Sequence, residues 1–269
     1  MTRFGLLLLA ALSGCALMQE GTPRKETVVA VTENNELIRF NAGQPGRVLG
    51  RATLSGLQPG ETLVGIDYRV ARGILYGLGS SGRVYTLEPK SGRATAVGQP
   101  VAAKLEGSQF GFDFNPTVDR MRVVSDAGQN LRLHPDTGAL VQPDGRPAYA
   151  AGDTNAGRTP RLVAIAYTYN KTNDKLTTNY GIDCAQGVLV TIGTREGVTP
   201  AVSPNSGQLT TVGPLGTGAC LGASFDIADV DNAALAAIDS RFYLIDLATG
   251  AATRLGSLAE PVRGIAIQP

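Results

Sequence analysis

The chain of 269 residues has no tryptophan, one histidine and three cysteines, and only 17% of it is charged. Each scarcity removes a class of chemistry. An imidazole-dependent nucleophile would have to use His134, which stands directly before a Pro-Asp-Thr-Gly turn, and no Gly-x-Ser-x-Gly elbow occurs. Beyond Cys15 near the N-terminus, two cysteines and one histidine do not make a usual zinc set. Basic and acidic side chains number 24 and 23, so charge gives no case for nucleic acid or for electrostatic docking on anionic lipid. Apolar runs are equally scarce. After residues 4–12 no stretch approaches the roughly eighteen residues that a spanning helix needs.

What is present is turn chemistry: 34 glycines and 15 prolines punctuate short runs of Val, Ile, Leu and Tyr. Almost nothing holds a 3.6-residue period, so the expected fold is all-β. A unit recurs over residues 65–98, 111–145, 164–213 and 224–256, each opening on a small residue and an alternating strand. Each closes on a hairpin containing Lys-Ser-Gly, Asp-Thr-Gly, Asn-Ser-Gly or Ala-Thr-Gly, where glycine takes a positive φ at little cost. Four antiparallel strands per unit make one propeller blade. The last residues, from Gly264, read as a first strand without partners, and residues 28–50 read as three strands without a first. Together they complete a fifth blade and remove the exposed edges of an open array. The expectation is a five-bladed β-propeller with an irregular third blade; a six-bladed propeller, splitting the long third unit, and a β-sandwich are the alternatives.

The strings LVGIDYR, LYGLG, GFDFNPTVDRMRVVSDAGQNLRLHPDTG, AYTYN, LTTVGPLG and FYLIDLATG resemble a bacterial family catalogued as domain of unknown function 4394. The resemblance runs from about Val28 to Ile267 and implies a fold and no chemistry. The chain departs from it at Tyr68-Arg69-Val70 and at His134, where an asparagine is usual; the second departure speaks against a histidine-dependent mechanism.

The N-terminus carries an address. One basic residue, Arg3, precedes the apolar run, and small residues precede a cysteine, as in a secretory signal. Leu12-Ser13-Gly14-Cys15 resembles the lipobox of bacterial lipoproteins, which implies cleavage before Cys15 and lipid on its thiol. The expected organisation is a signal peptide over 1–14, a lipidated tether over 15–26 and a single propeller domain over 27–269. Membrane contact would then run through the lipid, in the cell envelope, with the outer membrane favoured in a Gram-negative host because Ala16, not Asp, follows the cysteine. Cys184 and Cys220 are expected to pair in that oxidising compartment, the alternative being two buried thiols.

Two polar sets are candidate sites. Asp67, Asp113 and Asp226 hold the same place in three first strands, with Ala166 and Ala266 in the other two. Alternation turns them away from Ile66, Phe112 and Phe225 and into the central channel, where an oxygen-only set suits Ca²⁺ or Mg²⁺; capping of strand ends or bonding to adjacent backbone amides is the alternative. The second blade carries Asn115, Arg120, Arg122, Asn130 and Arg132, which fit bidentate recognition of a carboxylate or sugar, or else salt bridges between blades. The functional expectation is a binding or scaffold module facing a protein or glycan partner. An extracytoplasmic metal-assisted hydrolase using the channel aspartates is the alternative.

Overall fold

The computed structural model describes residues 21–98 and 104–269; Cys15 and the expected signal lie outside them. The chain folds as five small sheets around a common axis, the five-bladed propeller read from the repeats. The closing blade uses β1 (Thr27–Thr32), β2 (Glu36–Asn41) and β3 (Val48–Thr53). The first blade follows with β4 (Leu63–Arg69), β5 (Ile74–Gly79), β6 (Val84–Leu87) and β7 (Ala94–Val97). The second is β8 (Phe110–Asn115), β9 (Arg120–Ser125), β10 (Asn130–Leu133) and β11 (Leu140–Pro143). The third is β13 (Leu162–Tyr167), β14 (Asn179–Asp183), β15 (Val188–Ile192) and β16 (Gln208–Pro214), preceded by the short β12 (Ala148–Tyr149). The fourth is β17 (Ala223–Ile227), β18 (Ala234–Ile238), β19 (Arg241–Ile245) and β20 (Ala252–Ser257), and β21 (Val262–Ile267) returns to the start.

Closure is a matter of register. Val28 pairs with Ile267 and Ala30 with Ile265, so β21 becomes the innermost strand of the blade that β1 to β3 begin. The irregular third blade stays one sheet: β12 lies parallel to β16 as a fifth, outermost strand. Gly92, Gly138, Gly207 and Gly250, the turn glycines of the repeat, have φ of 74°, 67°, 74° and 84°.

The innermost strands approach so closely that the position opening each unit must be small: Gly65, Gly111, Ala164, Ser224 and Gly264. A Cβ on Gly111 would meet the backbone nitrogen of Ile165 at 2.8 Å, and one on Gly65 would meet Phe112 Cβ at 2.6 Å. The neighbouring position points the other way and feeds the core. Ile66, Phe112, Ile165, Phe225 and Ile265 each join a different one of five apolar clusters, one in each seam between adjacent blades. Edge-on packing of Phe40 and Phe242, with centroids 5.2 Å apart, lies in the seam between the fourth and closing blades.

The seam between the second and third blades is different. Its apolar cluster takes seven of its eight members from β12 to β16, and only Val124 from the second blade. Elsewhere both blades contribute broadly. Cys184 and Cys220 form a disulfide with Cα atoms 4.8 Å apart, tying the end of β14 to the segment entering the fourth blade. Residues 21–26, assigned to the tether by sequence, are held against the closing blade: Arg24 N–H donates to Asn41 Oδ1 at 2.8 Å, and Gln44 donates to the Gly21 carbonyl at 3.1 Å.

Candidate functional site

Two polar assemblies stand out, one on the axis and one in the second-to-third seam. On the axis, Asp67, Asp113 and Asp226 converge as their shared register requires, each buried, with one carboxylate oxygen from each inside a 4.8 Å circle. Inner-edge strands leave inward N–H groups with no sheet partner, and a buried orphan donor is costly. The three carboxylates answer five of them, one on each innermost strand. Asp67 accepts from Tyr68 and Phe114, both at 2.7 Å; Asp113 accepts from Tyr167 at 3.1 Å; Asp226 accepts from Ile227 at 2.6 Å and Ile267 at 2.5 Å. Where the preceding blade has alanine at this position, as at Ala166 and Ala266, the next aspartate takes two donors. Among the described residues this leaves one oxygen, Asp113 Oδ2, without a protein donor.

Three carboxylates this close cannot all ionise cheaply in a buried setting. Burial, then the charge of Asp226, pushes Asp67 well above the ordinary carboxylate range. Burial, then the charges of Asp67 and Asp226, does the same to Asp113. Burial pushes Asp226 up to about 7 despite its two backbone donors. A hard cation would relieve the same repulsion, and the donor chemistry fits one. Five of the six oxygens are already engaged by N–H groups, however, so the set reads first as a device that closes the ring and retains protons.

In the seam, Arg122 projects from β9 and is 1% exposed. Its Nε donates to the Tyr167 hydroxyl at 2.6 Å, Nη1 to Asn130 and to Asp144 Oδ2 at 2.9 Å, and Nη2 to Asn205 Oδ1 at 2.6 Å. Arg132 holds both oxygens of the same Asp144 at 2.9–3.1 Å. Asn130 donates onward to the carbonyls of Gly145 and Pro204. A buried ionic network thus joins the second blade to the 193–207 loop, beside an apolar cluster drawn almost wholly from the third blade; the first-to-second seam also carries a buried arginine, Arg69, held by Asp119 and Asp136, but over a cluster that both blades share.

Above the network opens a cleft of about 630 Å³. Asn115, Arg120, Arg122 and Arg132 lie on its second-blade side, while Tyr167 and the loops around Lys175–Thr177 and Thr194–Asn205 line the other. The polar set of the second blade therefore divides. Arg122, Asn130 and Arg132 are bound internally; Arg120 reaches only the carbonyls of Val118 and Asp119 and faces the cleft; Asn115 caps its turn by accepting from Thr117. Sequence reasoning missed Asp144, Tyr167 and Asn205, the partners that decide this division, and Lys175 and Arg195 across the cleft. The one signal pointing there was the 60-residue interval from 164 to 224, longer than any other between units. His134 is a turn residue, its Nδ1 accepting from the Asp136 N–H at 3.2 Å.

The sequence model of a family described as "Domain of unknown function (DUF4394)" matches residues 36–266. No curated protein matches the chain significantly. Among solved structures, the chain is similar to a glutaminyl cyclase from Myxococcus xanthus, with TM-score 0.46, 12% identity and 78% of this chain against 83% of that one. It is also similar to the dihydro-heme d1 dehydrogenase NirN, with TM-score 0.40, 15% identity and coverage of 90% and 45%. YCF48 from Cyanidioschyzon merolae gives TM-score 0.42, 15% identity and coverage of 85% and 68%.

Proposed function

The chain belongs to the family of the domain of unknown function 4394, and on that footing we propose that it is a lipid-anchored binding module of the cell envelope whose ligand seats in the cleft between the second and third blades. One observation carries this reading. The seam whose apolar cluster draws only Val124 from the second blade, and which carries a buried arginine network beside it, is also the seam with a 630 Å³ opening, a volume within the range of small-ligand sites. The network fixes the floor: Arg122 has every nitrogen engaged, so a ligand would meet a preorganised surface.

The envelope location rests on the N-terminal address and is supported by the disulfide, since such bridges persist chiefly in oxidising compartments. The anchor is tested by Cys15→Ala, which should abolish labelling by a clickable fatty acid; undiminished labelling would remove the claim. The binding role is tested by thermal shift against a mixed panel of sugars, peptides, organic acids and amphiphiles. A ligand whose shift disappears in Ala201→Trp, a cleft-filling change at an exposed position, is the expected result. A panel without hits, or hits indifferent to that substitution, would overturn it.

A further inference from the structure

We infer that the ligand of this cleft is an amphipathic organic anion, a carboxylate or phosphate group carrying an aliphatic body; this rests on the binding reading above. The charge around the cleft is unbalanced. Arg122 and Arg132 share a single carboxylate, Asp144, so their network keeps a net positive charge. Arg120, Lys175 and Arg195 also line the opening, and none of them forms a salt bridge among the described residues. The acid among the lining residues is Glu196, which accepts from Asn170 at 3.1 Å. Anions are thereby favoured, and arginine adds planar donors that match a carboxylate or phosphate.

Exposed apolar side chains gather at the same opening. Val118, Val141, Leu176 and Val198, 54%, 44%, 38% and 47% exposed, all line this one cleft. Four of the nine large exposed hydrophobics of the described chain thus gather where an aliphatic body would cover them. Beside the floor, Asn179 stands opposite Tyr167 in the β13–β14 register. It is 2% exposed, and neither atom of its amide has a hydrogen-bond partner among the described residues. Such an unmet pair is costly in a dry site, and it adjoins the Tyr167 strand rather than the cleft lining itself.

The test uses the Cys15→Ser chain, which removes the acylation position and permits detergent-free titration calorimetry. Probes share a ten-carbon tail: decanoate, decyl phosphate, decanol and decyltrimethylammonium. The anions should bind at least tenfold more tightly than the alcohol or the cation, and octanoate should lose about three- to fourfold per methylene removed. Arg120→Glu, Lys175→Glu and Val198→Asp, all at accessible positions, should each weaken decanoate about tenfold while leaving the melting temperature of the free protein in place. Vesicles containing phosphatidylglycerol, compared with the monomeric anions, tell a lipid headgroup from a free acid, and binding of either with the same sensitivity to Arg120→Glu supports the inference. Equal affinity for decanol, preference for the cation, or indifference to the charge reversals would overturn it. If another class from the mixed panel is lost in Ala201→Trp while decanoate never binds, the ligand class fails and the binding role stands; if nothing responds to that substitution, both fail.

Discussion

The axial aspartates predict that three chemically identical substitutions will behave differently. In Asp67→Asn or Asp226→Asn, one of two oxygens that accept buried backbone N–H groups becomes an amide nitrogen, setting donor against donor. Each should cost about 1–3 kcal/mol, the usual penalty of an orphaned buried donor. Asp113→Asn keeps Oδ1 for Tyr167 and places its amide where Oδ2 has no donor, so its new N–H groups face the neighbouring carboxylates. It also removes one of three mutually repelling charges. A carboxylate whose pKa is raised by folding holds its proton in the native state while the unfolded chain has lost it, so stability falls as pH rises from about 4 through the folded value. Asp226 reaches about 7 and the other two are also raised, so the window for Asp226 runs from about pH 4 to about pH 7. Each retained proton contributes a slope of about 1.4 kcal/mol per pH unit. Carboxylates held low, such as Asp136 by Arg69, act with the opposite sign, and only below about pH 4. Urea unfolding with EDTA present, at pH 4 and pH 8, should therefore show Asp113→Asn gaining about 1–3 kcal/mol on wild type at pH 8 and little at pH 4. Equal losses in all three variants, or a destabilised Asp113→Asn at pH 8, would refute the assignment of donors and protons.

Other perturbations test the frame. Asp144→Ala leaves Arg122 and Arg132 without their shared counter-charge in a buried seam and should cost about 3–5 kcal/mol by denaturant unfolding. Replacing Cys184 and Cys220 together by serine opens a loop spanning 36 residues and should lower stability by about 4 kcal/mol, with no further loss when reductant is added. Gly111→Ala should cost about 1–3 kcal/mol, because its Cβ would meet backbone atoms of Ala164 and Ile165; Gly60→Ala, whose Cβ meets nothing, should lose only the strain of its positive φ.

The propeller was legible because its repeat is written in residues with one physical job each. Turn glycines such as Gly138 mark hairpins, and the small residues from Gly65 to Gly264 mark the axis. Asp67, Asp113 and Asp226 were legible for the same reason, since alternation from those residues turns them into the channel. The division of the second-blade cluster was not. Arg122 and Arg120 look alike in sequence, and what separates them is Asp144, which reads as an ordinary turn residue, and Asn205, 83 positions away. The cleft was hidden because the third unit supplies much of it from loops outside any period: Lys175, Leu176, Arg195 and Val198 have no counterparts in the other units. Even β12 escaped, since two residues paired in parallel with β16 carry no alternation to detect.

Hydrogen exchange with and without decanoate tests most directly whether a ligand seats between the second and third blades. New protection should be confined to the segments around 117–122, 175–177 and 194–205 and should vanish in Ala201→Trp. Protection centred on the axis, in another seam, or unchanged by that substitution would contradict it.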